Sequence, residues 1–260
     1  MSSKPTVLIS GASRGLGAEA ALAAAQLGAD LLLTARSESG LRHTAERIAA
    51  LGGDHKITLL SGDLCDNGFC AELAQGVERL DAAVLNAAQV EPIGSLSNLD
   101  EKEWARCLEL NLTAPFRLAK RLLPALQASS GRLITIGTGA ATQPIPSWSG
   151  YCVSKAALLM LTRVIATESP EVVSLSFIPG VVNTVMQQTI REHKDLMPDQ
   201  LGAYFGSLHT SGQLEPPEVP GRALAWCALH APREWTGLEV VYSDAALVEQ
   251  VRGAFSAVTS

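Results

Sequence analysis

The chain predicts a doubly wound α/β fold, a parallel sheet of about seven strands with helices on both faces. Three observations carry that prediction. Short apolar, β-branched runs alternate with longer helical segments along the whole sequence. Right-handed crossovers turn that pattern into a covered parallel sheet. A glycine-rich turn, Ser10-Gly11-Ala12-Ser13-Arg14-Gly15-Leu16-Gly17, separates the first such run from the first helix. Tyr151 stands four residues before Lys155 at the head of a strongly apolar helical stretch.

The first strand is Thr6–Ser10 (TVLIS), whose β-branched content suits burial on both faces. After the glycine turn, residues 18–27 are Ala-rich and close at Gly28, a helix with its stop. Residues 31–35 form the second strand, 41–51 the second helix (ended by Gly52-Gly53), and Ile57–Ser61 the third strand. A helix around 67–79 leads into a strand at 82–86, and 102–126 reads as one long helix that Pro115 is expected to kink. The fifth strand is 133–137, followed by a helix at 151–167 and the sixth strand at 172–178. Helix dominates 183–229, broken at Glu215-Pro216-Pro217, and a last strand occupies 238–242.

Bulk composition narrows the possibilities. Hydrophobic residues make up 47% and charged residues 18% of the 260, which argues for a folded core and against disorder. No linker, repeat or low-complexity stretch divides the chain, so one domain over 1–260 is expected. A net charge of −6 without any basic run argues against nucleic-acid binding. The polar start lacks a signal-peptide core, and charges interrupt the apolar stretches before membrane-spanning length. The five cysteines form no C-x-x-C pair and read as free thiols of a reducing compartment. The histidines are scattered without ligand spacing, so no metal is expected. The expectation is a cytoplasmic protein without a membrane partner.

The chemistry is read from two motifs. Side chains at i and i+4 share a helix face, which puts the Lys155 ammonium beside the Tyr151 phenol. A positive neighbour lowers a phenol pKa that is ordinarily about 10, giving a proton donor and acceptor near neutrality. Alone, Tyr-x-x-x-Lys also fits a surface helix pair. The glycine turn, set between a strand and a helix, adds weight to the chemical reading. Gly11, Gly15 and Gly17 let the backbone turn tightly and approach a pyrophosphate held at the helix N-terminus. A plain βα turn is the alternative.

With Asn86-Ala87-Ala88 after the fourth strand and Pro179-Gly180-Val181-Val182-Asn183-Thr184 after the sixth, these motifs resemble the short-chain dehydrogenase/reductase family over nearly the whole chain. Within it the chain looks most like NADPH-dependent carbonyl and benzil reductases related to sepiapterin reductase. The resemblance implies a Rossmann-type fold and a nicotinamide cofactor bound by Gly11, Ser13, Arg14, Gly15, Leu16, Gly17, Arg36, Asp63, Leu64, Asn86, Ala87, Tyr151, Lys155, Pro179, Val182 and Thr184. Asp63 and Leu64 are expected to flank the adenine, though Asp63 would equally cap the following helix. NAD-type sites carry an acidic residue after the second strand. Here Leu33-Thr34-Ala35-Arg36 has none, and Arg14 lies in the glycine turn. Two converging guanidiniums suit a 2′-phosphate, so NADP(H) is expected. Each alone also fits a solvated surface arginine.

By the same resemblance Tyr151 is the general acid, Lys155 lowers its pKa and binds the nicotinamide ribose, and Asn111 holds a water in the proton relay. A helix asparagine bonded to backbone is the other reading of Asn111. Thr138 stands where the family has serine. Its hydroxyl can polarise a carbonyl, while its methyl restricts χ1 and needs room that the flanking glycines are expected to provide. Ala88 and Tyr242-Ser243-Asp244-Ala245 replace family glycines. Substrate contacts are expected from Gln143 to Trp148 and from a covering segment at about 184–217, with Met186, Met197, Tyr204 and Phe205 facing the cleft or packing in the core. Ile190 to Leu201 reads as a mobile lid. The expected activity is reduction of a small or medium ketone or aldehyde. Alcohol oxidation and a catalytically weak NADPH-binding regulator remain as alternatives. The helices at 102–126 and 151–167 match the faces through which family members form homodimers or homotetramers.

Overall fold

The computed structural model describes residues 4–256, and residues 1–3 of the polar lead fall outside it. The strands β1 (Thr6–Ser10), β2 (Asp30–Ala35), β3 (Ile57–Ser61), β4 (Ala82–Leu85), β5 (Arg132–Ile136), β6 (Val173–Ile178) and β7 (Glu239–Val241) form one sheet. All neighbours pair in parallel, in the order β3-β2-β1-β4-β5-β6-β7. The order reverses between β1 and β4, and open α/β sheets bind ligands beyond the strand ends at such a point.

In chain order the helices are α1 (Gly15–Gln26), α2 (Glu38–Ala49), α3 (Asn67–Ala74), α4 (Glu101–Leu108), α5 (Ala114–Ser129), α6 (Ser149–Glu168), α7 (Val185–Glu192), α8 (Asp199–Thr210), α9 (Glu218–His230) and α10 (Ala245–Ser256). Successive strand residues supply opposite cores. Val7 and Ile9 pack with α1, α2, α9 and α10, whereas Leu8 packs with α3 and α5. Both faces are covered, so the strands read as continuous apolar runs. Each fully buried side chain of this kind contributes roughly 1.5–3 kcal/mol. The alanines of α1 allow close approach of α9, where a Cβ on Gly221 would lie 2.8 Å from that of Glu19.

Several expected elements are corrected. The helix expected from 18 begins at Gly15, because Arg14 already takes the extended conformation that precedes a first helical turn. The helix expected to run to 79 ends at Ala74, where Gln75 turns extended. The single helix expected over 102–126 is α4 and α5 joined by a π turn at Glu109–Thr113. Pro115, expected to kink that helix, sits in the first turn of α5 directly after the π turn. The helix α10 was not expected, although Leu247, Val251 and Phe255 line one side of it against the first core. Also contrary to expectation, α6 is long and apolar enough to span a membrane, but half of its apolar window is buried in the fold.

Candidate active site

Backbone ties hold the glycine turn at the open end of the sheet. Ser10 Oγ accepts from Asn86 N (3.0 Å) and Ala87 N (3.1 Å), and Asn86 Nδ2 donates back to Ser10 O (2.9 Å). Thr44 Oγ1 on α2 donates to Ala12 O at 2.9 Å. Gly11 has φ +68°, and a Cβ there would lie 2.8 Å from Asn86 Nδ2. A Cβ on Gly17 would lie 2.6 Å from the same atom. Bare backbone is therefore required at both positions, as in a turn that cradles phosphate.

This turn opens onto a cleft of about 1220 Å³ along the strand ends. One end is polar, with Ser13, Arg14, Arg36, Ser37, Ser39 and Asp63 in its wall. Among the described residues neither Arg14 nor Arg36 has a carboxylate within ion-pair distance. Asp63 does not cap α3, a task that falls to Asp66 through Gly68 N. Its Oδ1 accepts from Cys65 N at 3.0 Å and its Oδ2 from Arg106 Nη2 at 2.8 Å. Arg106 and the serine pair were missed from sequence. Ser37 is legible afterwards as the cap of α2, accepting from Gly40 N at 3.1 Å. Nothing in the sequence links Arg106 to a residue 43 positions away.

At the other end, Thr138, Tyr151 and Lys155 line the cleft. Tyr151 is 8% and Lys155 4% exposed, so both are shielded from bulk water. Lys155 Nζ donates to Ile136 O at 2.9 Å and lies 5.7 Å from the centre of the Tyr151 ring. Burial pulls the ammonium down to about 8. Burial also pushes the Tyr151 phenol above its ordinary value, and a hydrogen bond with Thr138 pulls it part of the way back. The lowered phenol pKa expected from sequence is thus corrected. Desolvation dominates, and the lysine spends its hydrogen bond on a carbonyl.

Asn111 is not in the cleft wall. Its Oδ1 accepts from Gln89 N (2.9 Å), and its Nδ2 donates to Gln89 O (2.8 Å) and Ser154 Oγ (3.1 Å). Ser154 Oγ in turn donates to Tyr151 O at 2.8 Å. The π turn therefore supplies an amide that ties the backbone of Tyr151, through Ser154, to the loop after β4. Gly17 is also out of the wall, whereas Gly11, Gly15, Leu16, Leu64, Asn86, Ala87, Pro179, Val182 and Thr184 all line it. The glycines beside Thr138 do not make room for its methyl. A Cβ on Gly137 would strike Ser176, while Gly139 faces open space.

The wall above Tyr151 is apolar. Trp148 packs its edge on Tyr151 (centroids 5.8 Å apart) and stacks on Phe205 of α8 at 5.0 Å. Met186, Tyr204, Ile145 and Val90 complete this end. Met197 does not reach the cleft. It is buried in the cluster that also holds Leu208 and Ile190, of which Ile190 lines the cleft.

A strand-reversal crevice, a glycine-rich turn opening the first helix and a buried phenol beside an amine set out the framework of a nucleotide-dependent oxidoreductase. A family model described as short chain dehydrogenase matches residues 5–195, and the chain belongs to that family of NAD(P)-dependent dehydrogenases/reductases. The benzil reductase ((S)-benzoin forming) of Saccharomyces cerevisiae is 31% identical over 93% of this chain and 97% of its own. Sepiapterin reductase of Mus musculus is 35% identical, covering 71% of this chain and 77% of its own. The crystal structure of the YIR035C short chain dehydrogenase/reductase from Saccharomyces cerevisiae matches with a TM-score of 0.87 at 27% identity, covering 94% and 98% of the two chains.

Proposed function

We propose that the chain is an NADPH-dependent reductase of small or medium ketones and aldehydes that carry apolar or aromatic groups. The observation that carries this reading is the cleft's polarity: Arg14 and Arg36, without an ion-pair partner among the described residues, at one end, and Thr138, Tyr151 and Lys155 with an aromatic wall at the other. Arg14, Arg36 and the neighbouring serines would hold a 2′-phosphate by charge-assisted hydrogen bonds. The glycine turn would hold the pyrophosphate, and Lys155 the nicotinamide ribose. The bound dinucleotide supplies the hydride. Tyr151 gives the proton to the substrate's carbonyl oxygen. The Thr138 hydroxyl orients the same oxygen. Asn111 fixes Gln89 and, through Ser154, the backbone of Tyr151. Relatives named as benzil and sepiapterin reductases support a dicarbonyl or aryl ketone as substrate.

The test is NADPH oxidation across a panel of aryl ketones, α-diketones and aldehydes, with Tyr151→Phe as control. Turnover on at least one diketone, lost by about 10² or more in Tyr151→Phe with NADPH binding retained, is expected. Tight NADPH binding without turnover on any member would favour an NADPH-binding regulator.

A further inference from the structure

Among the described residues, Asp63 is the sole carboxylate lining the cleft, against three cations, Arg14, Arg36 and Lys155. It stands just past β3, and Arg36 just past β2. The two strands are in register there, Ala35 opposite Ser61, and Gly62 N donates to Ala35 O at 3.0 Å. A free carboxylate so placed would repel a phosphate held by Arg36. It is not free. Arg106, on α4 and outside the cleft wall, meets Asp63 Oδ2 at 2.8 Å, while Cys65 N takes the other oxygen. Two more arginines hold the same segment from α5 without touching Asp63: Arg117 Nη1 donates to Cys65 O at 3.2 Å and Arg121 Nη2 to Asn67 Oδ1 at 2.8 Å.

We infer that Arg106 is a specificity-determining positioning residue: by neutralising and aiming Asp63, it keeps the adenosine end positive and sustains preference for a phosphorylated ribose. The inference rests on the NADPH reading above. The ion pair is partly exposed, with the two side chains 46% and 37% accessible, so the effect is a modest one set by screened charge. The extra phosphate of NADPH feels an uncovered Asp63, and NADH, lacking it, feels it less.

The experiment measures dissociation constants of NADPH and NADH by cofactor fluorescence, without substrate. Arg106→Gln should weaken NADPH about fivefold and NADH less than about twofold. Arg106→Lys should keep the parental ratio, because the positive charge remains. In an Asp63→Asn background, Arg106→Gln should bring the ratio back to the parental value, because the pair is neutral in both proteins. Arg121→Ala, which loosens the segment but leaves the pair, should shift both cofactors by the same factor. Asp63→Asn alone, with Arg106 intact, should raise the NADPH preference. That variant keeps the idea testable should Arg106→Gln fail to fold. An unchanged ratio in Arg106→Gln, equal weakening of both cofactors, or an unchanged or lower preference in Asp63→Asn would overturn it. A parent without NADPH preference would overturn the cofactor assignment and this inference with it. A parental preference that survives Arg106→Gln overturns the inference alone.

Discussion

The Thr138 hydroxyl accepts from Ala140 N at 3.3 Å and pulls down the pKa of the Tyr151 phenol. Its backbone is extended, at φ −167° and ψ 154°, which suits a β-branched residue. The methyl needs no special accommodation, so Thr138→Ser should keep kcat within about threefold. Thr138→Ala removes the donor that a developing oxyanion would use, and kcat should fall about 10²-fold. Neither change touches the polar end of the cleft, so the NADPH dissociation constant should stay within about twofold. Steady-state kinetics paired with cofactor titration checks this split, and an alanine variant of parental kcat would remove Thr138 from the chemistry. The position of this hydroxyl was legible through the family resemblance, as the place where the family has serine. The phenol's protonation was not, because burial is a property of the packed fold.

The π turn at Glu109–Thr113 is the element that most needed a structure to be seen. Glu-Leu-Asn-Leu-Thr contains neither glycine nor proline, and the nearby Pro115 pointed to a kink two residues past the turn. The strands were legible because burial on both faces leaves a continuous apolar signature. The register of a helix against a loop leaves none. Asn111, 1% exposed, uses both ends of its amide on Gln89. Asn111→Leu should therefore strand a buried N–H and C=O and cost about 1–3 kcal/mol of stability, read from urea unfolding. Asn111→Asp keeps only the bond from Gln89 N and places a charge against Gln89 O, so it should cost at least as much. A leucine variant as stable as the parent would show that the loop after β4 stands without this tie.

Across the whole molecule the buried Lys155 links folding to pH. Its ammonium titrates at about 8 in the fold against 10.5 ordinarily. Between those values the unfolded chain carries the extra proton, so this group makes stability rise with pH. The burial penalty is full below about 8 and gone above 10.5, and is on the order of 3 kcal/mol. Tyr151 opposes the trend only above its ordinary value of 10.0, where the unfolded chain loses its proton first. Lys155→Met should be more stable than the parent near neutrality, and the gap should narrow from about pH 8 and close above about 10.5. Urea titrations of cofactor-free protein would show it, and a gap constant with pH would refute it. The stacked Trp148, pinned between Tyr151 and Phe205, carries a different consequence. On the proposed reading, trimming Phe205 would enlarge the binding end and loosen the indole packed on the Tyr151 phenol. Broader tolerance for bulky ketones would then be traded against speed of protonation through a single ring.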